Sequence, residues 1–180
     1  MFDANPSRLR PTPSGPPEPY LIEIAQAKFE ATILKARLFH EGAQFYDTRG
    51  RFDIASFMLH QSMEQALRCF YVSVIEHNIQ GHNLWMLWSM MKPFALRLKT
   101  VFNFKKEEDK AMFDFLSNSY IISRYSFSIC VNQKRVHPLI DAVAQVIDIA
   151  ARLCQSFIKS NCGTAVNSKI KDSMLYLDCQ

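Results

Sequence analysis

Six of the eight prolines in this 180-residue chain lie before position 20, at Pro6, Pro11, Pro13, Pro16, Pro17 and Pro19. The other two, Pro93 and Pro138, stand far apart in the rest of the chain. Proline fixes φ and removes a backbone donor, so residues 1–19 read as an extended, solvated Pro-rich tail or interdomain linker. Such a start is also what remains when a domain is cut from a longer polypeptide, and a further domain upstream is an expectation. Beyond residue 19 the chain is almost free of breakers. Glycine occurs only five times in all, against 14 phenylalanines. That balance favours packed helices over a turn-rich β fold.

The apolar spacing agrees. From Tyr20 to about Tyr46, Ile24, Ala27, Phe29, Ala31, Leu34, Leu38 and Phe45 recur at helical intervals and read as the inward face, with Glu23, Lys28, Glu30, Lys35 and Arg37 on the other side. Asp47 and Gly50 then mark a turn. A second helix is expected from about Phe52 to His77, with Leu59, Met63, Ala66, Leu67, Phe70 and Val74 on one face. Phe57, Tyr71 and Ile75 lie on a different face, beside Gln61, Glu64 and Arg68. A helix apolar on most sides is a central one, and its excess apolar surface also suggests a dimer. Gly81 supplies a left-handed stop.

A short helix over Asn83–Met91 carries Leu84, Leu87 and Trp88, and Pro93 ends or kinks it. The next runs from Glu107 to Arg124. Its acidic first turn complements the helix dipole, and its stripe is Met112, Phe113, Leu116, Tyr120 and Ile121. "RYSFSICVNQKRVHP" reads as a connection. The last helix is expected to start near Pro138 and to run to about Ser160, with Leu139, Val143, Val146, Ile147, Ala150, Leu153, Cys154 and Phe157 inward. Residues 163–180 form a weakly patterned tail. The sum is an all-α fold, an up-and-down bundle of four long helices plus one short helix within residues 20–162.

A net charge of +4 permits a polyanionic partner without demanding one. The five cysteines are odd in number and contain no CxxC, which argues against a disulfide framework or a zinc site. Cys69 and Cys154 fall in apolar helical patterns and read as core residues in a reducing, cytoplasmic setting. The N-terminus lacks a signal-peptide apolar region, and no apolar run reaches membrane-span length. No HxxxH pair, acidic cluster or Gly-rich phosphate loop is present, so no metal or cofactor is expected.

Three stretches then stand out together: "ASFMLHQSMEQALRCFYV", "GHNLWML" and "SYIISRYS". They resemble the HEPN family, the higher eukaryotes and prokaryotes nucleotide-binding domain. Phe57, His60, Gln61, Glu64, Ala66 and Leu67 match the family's F-x-x-H-Q-x-x-E-x-A-L helix. His82 and Leu84 match its His-Asp-Leu start, and Arg124 and Tyr125 its Arg-Tyr-Pro. Asn83 stands where aspartate is common, and Ser126 where proline is. Cys69 follows Arg68 near the usual lysine. The resemblance spans about residues 20–160. It implies nucleotide or RNA binding, homodimers, and a fused or partner nucleotidyltransferase. HEPN ribonucleases carry Arg-x4–6-His, and no arginine in this chain has a histidine at that spacing. No catalytic residue is therefore assigned.

The candidate nucleotide- or RNA-binding residues are Arg124, Lys134, Arg135, Gln61, Glu64, Arg68 and His82. Gln61, Glu64 and Arg68 share a helical stripe. Either they line a polar groove for phosphate, which arginine can bond bidentately, or they form a buried network that fixes helix register. Arg124, Lys134, Arg135 and His137 make either a basic patch spanning a helix end and the next loop, or a solvated loop. His60 and His82 are of the residue type suited to general acid–base work but lack a nucleophile at recognisable spacing, and His82 also fits a cap or turn. Trp85 and Trp88 could offer one stacking platform, with core packing as the simpler use. The rival functions are a ribonuclease with a non-standard site at His82 or His137, and a purely structural dimerisation module.

Overall fold

Small residues decide how the first two helices meet. The computed structural model describes residues 18–75, 81–125 and 131–160. Helix α1 (Glu18–Asp47) and helix α2 (Phe52–Phe70) pack together over Ala36, Ala43, Ala55 and Ala66, all fully buried. On α2, the Ser62 hydroxyl donates to the Ala36 carbonyl of α1 at 2.7 Å. Backbone and side chain can approach this closely only where no large side chain intervenes. Phe29 and Ile33 extend the buried face of α1.

This overturns one expectation. Spacing alone turns Leu34, Leu38 and Phe45 inward, yet they are 55%, 54% and 49% exposed. α1 carries two apolar stripes, and the one with small residues wins the core because it alone admits α2 so closely. The turn after α1 agrees with its sequence, with Gly50 at φ +68°.

α2 is central, as its composition required. It meets α1, helix α6 (Gln133–Ser160), helix α5 (Glu107–Tyr125) and the short helix α3 (Leu84–Met91). Its apolar faces are thereby covered within the chain, including Leu59, Met63, Leu67 and Phe70 at 0% exposure. Ile54, Phe57 and Met58 on the same helix stay half-buried. The regular α-helix ends at Phe70 and passes into a π turn over Tyr71–Ile75, where the spacing predicts α-helix to His77. Residues 76–80 lie outside the described residues. Buried Tyr71 donates to the Met90 carbonyl at 2.8 Å, and burial pushes its phenol up to about 12.

Gly81 has φ +87°, a left-handed conformation that glycine adopts without strain. Asn83 then caps α3, its side-chain oxygen accepting from Met86 N at 3.1 Å. The asparagine therefore does the capping that an aspartate would do there. His82 is not the cap. A single helical turn, α4 (Leu98–Val101), adds an element that the sequence pattern does not signal. Both tryptophans enter an aromatic cluster with Phe104 and Phe113, and Trp85 donates its indole N–H to Asp114 at 2.8 Å. Neither is a free stacking platform. On α5, Phe113, Leu116 and Ser119 face inward, and Ile121 is 56% exposed rather than inward.

α6 begins at Gln133, five residues before Pro138. Asn132 starts it, with its carbonyl and side-chain oxygen accepting from Arg135 N at 3.1 and 3.3 Å. Pro138 sits inside the helix and leaves the Lys134 carbonyl without its usual i+4 donor. The inward set of α6 stands as expected, with Leu153 and Phe157 half-buried. Cys69 and Cys154 are free, buried, and 3.5 Å apart at sulfur across the α2–α6 contact. Among the described residues there are six α-helices and no strand. No described helix is long and apolar enough to cross a membrane.

Candidate functional site

Glu64 organises the polar interior. It lies on α2 at 3% exposure, where an unpaired carboxylate would be very costly. One turn along the helix, Arg68 Nε donates to Glu64 Oε1 at 2.9 Å, and a second guanidinium nitrogen bonds the Gly81 carbonyl. From the α3 approach, His82 Nδ1 donates to both carboxylate oxygens at 3.0 and 2.9 Å. The His82 ring stacks on Tyr120 of α5, with centroids 5.2 Å apart and planes at 13°. Its side chain is 55% exposed.

His60 lies one turn before Glu64 and is fully buried. Its Nδ1 is 3.0 Å from the Leu116 carbonyl, which can only accept, so Nδ1 carries the proton. The neutral ring then turns its Nε2 lone pair toward the interior, 3.8 Å from Glu64 Oε2 and without a hydrogen-bond partner. Burial pushes His60 below its ordinary value of 6.5, against the Leu116 bond and Glu64, both of which favour the cation. Gln61 does not join the network. Its amide nitrogen is buried without a partner.

A second feature lies where α5 meets the start of α6. Ala111, Met112, Phe115, Lys134, Arg135 and Pro138 line an open cavity of about 280 Å³. Its wall is mostly apolar, and the Arg135 guanidinium sits 5.3 Å from the centroid of the Phe115 ring. Lys134 and Arg135 are both exposed. Beside them His137 Nε2 bonds Asp47 Oδ2 of α1 at 2.8 Å. α5 thus serves both features. Met112 and Phe115 face the cavity, while the Leu116 carbonyl and Tyr120 hold the histidines.

The seven sequence candidates therefore divide. Glu64, Arg68 and His82 come together in one network, in which the Arg68 charge is matched by Glu64. Lys134 and Arg135 come together at the cavity. They stand on the first turns of α6, not in a loop, because Asn132 starts the helix earlier than Pro138 suggested. His137 is committed to Asp47. Arg124 lies in the last turn of α5, and its side chain falls outside the described residues. Sequence reasoning misses Phe115 and Tyr120 as site neighbours. Tyr120 carries the right signal, a stripe position facing α2, but spacing alone makes it a core residue. Among the described residues, no group of three or more His, Cys, Asp or Glu side chains could hold a metal ion.

Comparison with known proteins agrees with this architecture. A family model described as HEPN domain matches residues 29–153. No curated protein matches the chain.

Proposed function

Since the chain belongs to the HEPN domain family, we propose that it is a non-catalytic module that binds a nucleotide or RNA at the α5–α6 cavity. The observation that carries this reading is the pairing of Arg135 with the Phe115 face beside Lys134, over an apolar floor. An aromatic face and apolar walls suit a base, and two adjacent exposed cations suit its phosphate. The Glu64 network is a poorer phosphate site, because its arginine is already matched by a carboxylate. Its part is to fix α2 against α3 and α5. In this reading the setting is cytoplasmic, and the partners are a second copy and a fused or partner nucleotidyltransferase.

The test is a titration with labelled nucleotide and short single-stranded RNA at two salt concentrations. Binding should fall with salt. The Lys134→Ala/Arg135→Ala variant should bind much more weakly and should lower the RNA salt slope by about 1.4. Unchanged binding in that variant would sink the assignment. Loss on Arg68→Met in a folded protein would move the site to the Glu64 network.

One observation favours a second reading, a ribonuclease with a non-standard centre. Glu64 holds His82 through Nδ1–H, and in the neutral ring this makes Nε2 the basic nitrogen. RNA cleavage that vanishes in both His82→Ala and Glu64→Gln, with the bundle intact, would support it.

A further inference from the structure

Cys69 of α2 and Cys154 of α6 carry thiols that neither the cavity nor the Glu64 network uses. Both are fully buried. Their sulfurs lie 3.5 Å apart, and the Cys154 S–H donates to Cys69 Sγ. A disulfide bond is about 2.05 Å long, so the sulfurs need to close by about 1.5 Å. Small side chains let the two helices approach closely here. Ala66 lies one turn before Cys69, and Ala150 and Ala151 lie one turn before Cys154, all of them buried. Cys69 is also the next-to-last residue of the regular α-helix, just before the π turn, where the backbone ladder changes register.

The hydrogen bonds give the two thiols different parts. Ser73 Oγ donates to the Cys69 carbonyl at 2.7 Å, so it can only accept from Cys69 Sγ, 4.0 Å away. The Cys69 proton therefore points to Ser73, and the Cys154 proton to Cys69. The Cys154 S–H favours the Cys69 thiolate and holds that thiol below its ordinary value, against burial. Cys154 is pushed up, by the same bond and by burial. Cys69 is the sulfur that attacks, and Cys154 the one that resolves.

We propose that Cys69 and Cys154 are a peroxide-oxidised pair that closes to a reversible disulfide between α2 and α6. The Cys69 thiolate attacks one oxygen of hydrogen peroxide. The O–O bond breaks, hydroxide leaves and takes up the thiol proton as water, and Cys69 becomes a sulfenic acid. The Cys154 sulfur then attacks the Cys69 sulfur. The S–S bond forms, the S–O bond breaks, and a second water leaves with the Cys154 proton. Two thiols lose two electrons, and one peroxide becomes two waters. Burial admits a small uncharged oxidant when the α2–α6 contact opens locally, and shields the sulfenic acid from other thiols. The bond closes a loop that holds α3, α4 and α5, and so constrains the unfolded chain. Thiol reductants reopen it, which makes it transient in a reducing setting.

The experiment treats the folded full chain with hydrogen peroxide, alkylates the remaining thiols in denaturant and maps the peptides by mass. A linked peptide of Cys69 and Cys154 that dithiothreitol separates is expected. The oxidised chain should melt several degrees higher, and Cys69→Ala or Cys154→Ala should each abolish that rise. In Cys154→Ala, dimedone should label Cys69 as the trapped sulfenic acid. In Cys69→Ala it should leave Cys154 unlabelled, and the reverse labelling would overturn the assigned parts. Cys69 and Cys154 both alkylated after peroxide would overturn the proposal. So would Cys69 linked instead to Cys130, Cys162 or Cys179, which lie outside the described residues. The map of the natural sequence needs no variant to fold, and it does not depend on whether the cavity binds nucleotide.

Discussion

Replacing Glu64 by alanine would take the carboxylate away from the Arg68 guanidinium, whose side chain is only 11% exposed, and remove the anchor of His82. Breaking a buried pair from one side costs about 3–5 kcal/mol, and the part-exposed histidine places this case near the lower end. Urea unfolding should show it. The double variant Glu64→Leu/Arg68→Met should recover most of the loss, since no charge is then left buried alone. His60 gives a pH dependence of stability. Its folded value lies below 6.5, so between that folded value and 6.5 the unfolded chain binds more protons. Stability from this group is complete above pH 6.5 and declines as pH falls. A series of melts should show that decline, and His60→Asn should flatten it while keeping a donor for the Leu116 carbonyl.

The elements are legible where one pattern dominates. On α6 a single strong stripe identifies Val143, Val146, Ile147 and Ala150 as core, and the structure buries all four. On α1 two stripes compete, and spacing alone cannot show that alanines win over Leu34 and Leu38. The test is Ala36→Leu, which should destabilise by about 1–3 kcal/mol through overpacking against Ser62. Helix starts are legible when the cap is read and not when proline is. Asn132 and Asn83 do the capping, and Asn83→Ala should cost about 1 kcal/mol at α3. The site is legible in part for the same reason. Glu64 and Arg68 lie one turn apart, a spacing visible in the sequence. The meeting of Glu64 with His82, and of Arg135 with Phe115, depends on how separate helices pack, which local periodicity does not carry.

At the scale of the molecule, α2 is the common neighbour of α1, α3, α5 and α6. That placement keeps the two features independent. The cavity lies on the α5–α6 side and the Glu64 network on the α2 side of the same α5. Variants at Lys134 and Arg135 should therefore leave thermal stability within about 0.5 kcal/mol of the natural sequence, a comparison that melting curves can make. The central position of α2 also sets an order in time. The chain leaves the ribosome from its N-terminus, so α2 emerges with α1 while its other main cover, α6, is still unmade. Until synthesis has passed Ser160, Cys69 and Phe70 lack the helix that shields them. The nascent chain spends that interval with an open flank, when it is most open to chaperones and to its own neighbours on the same message.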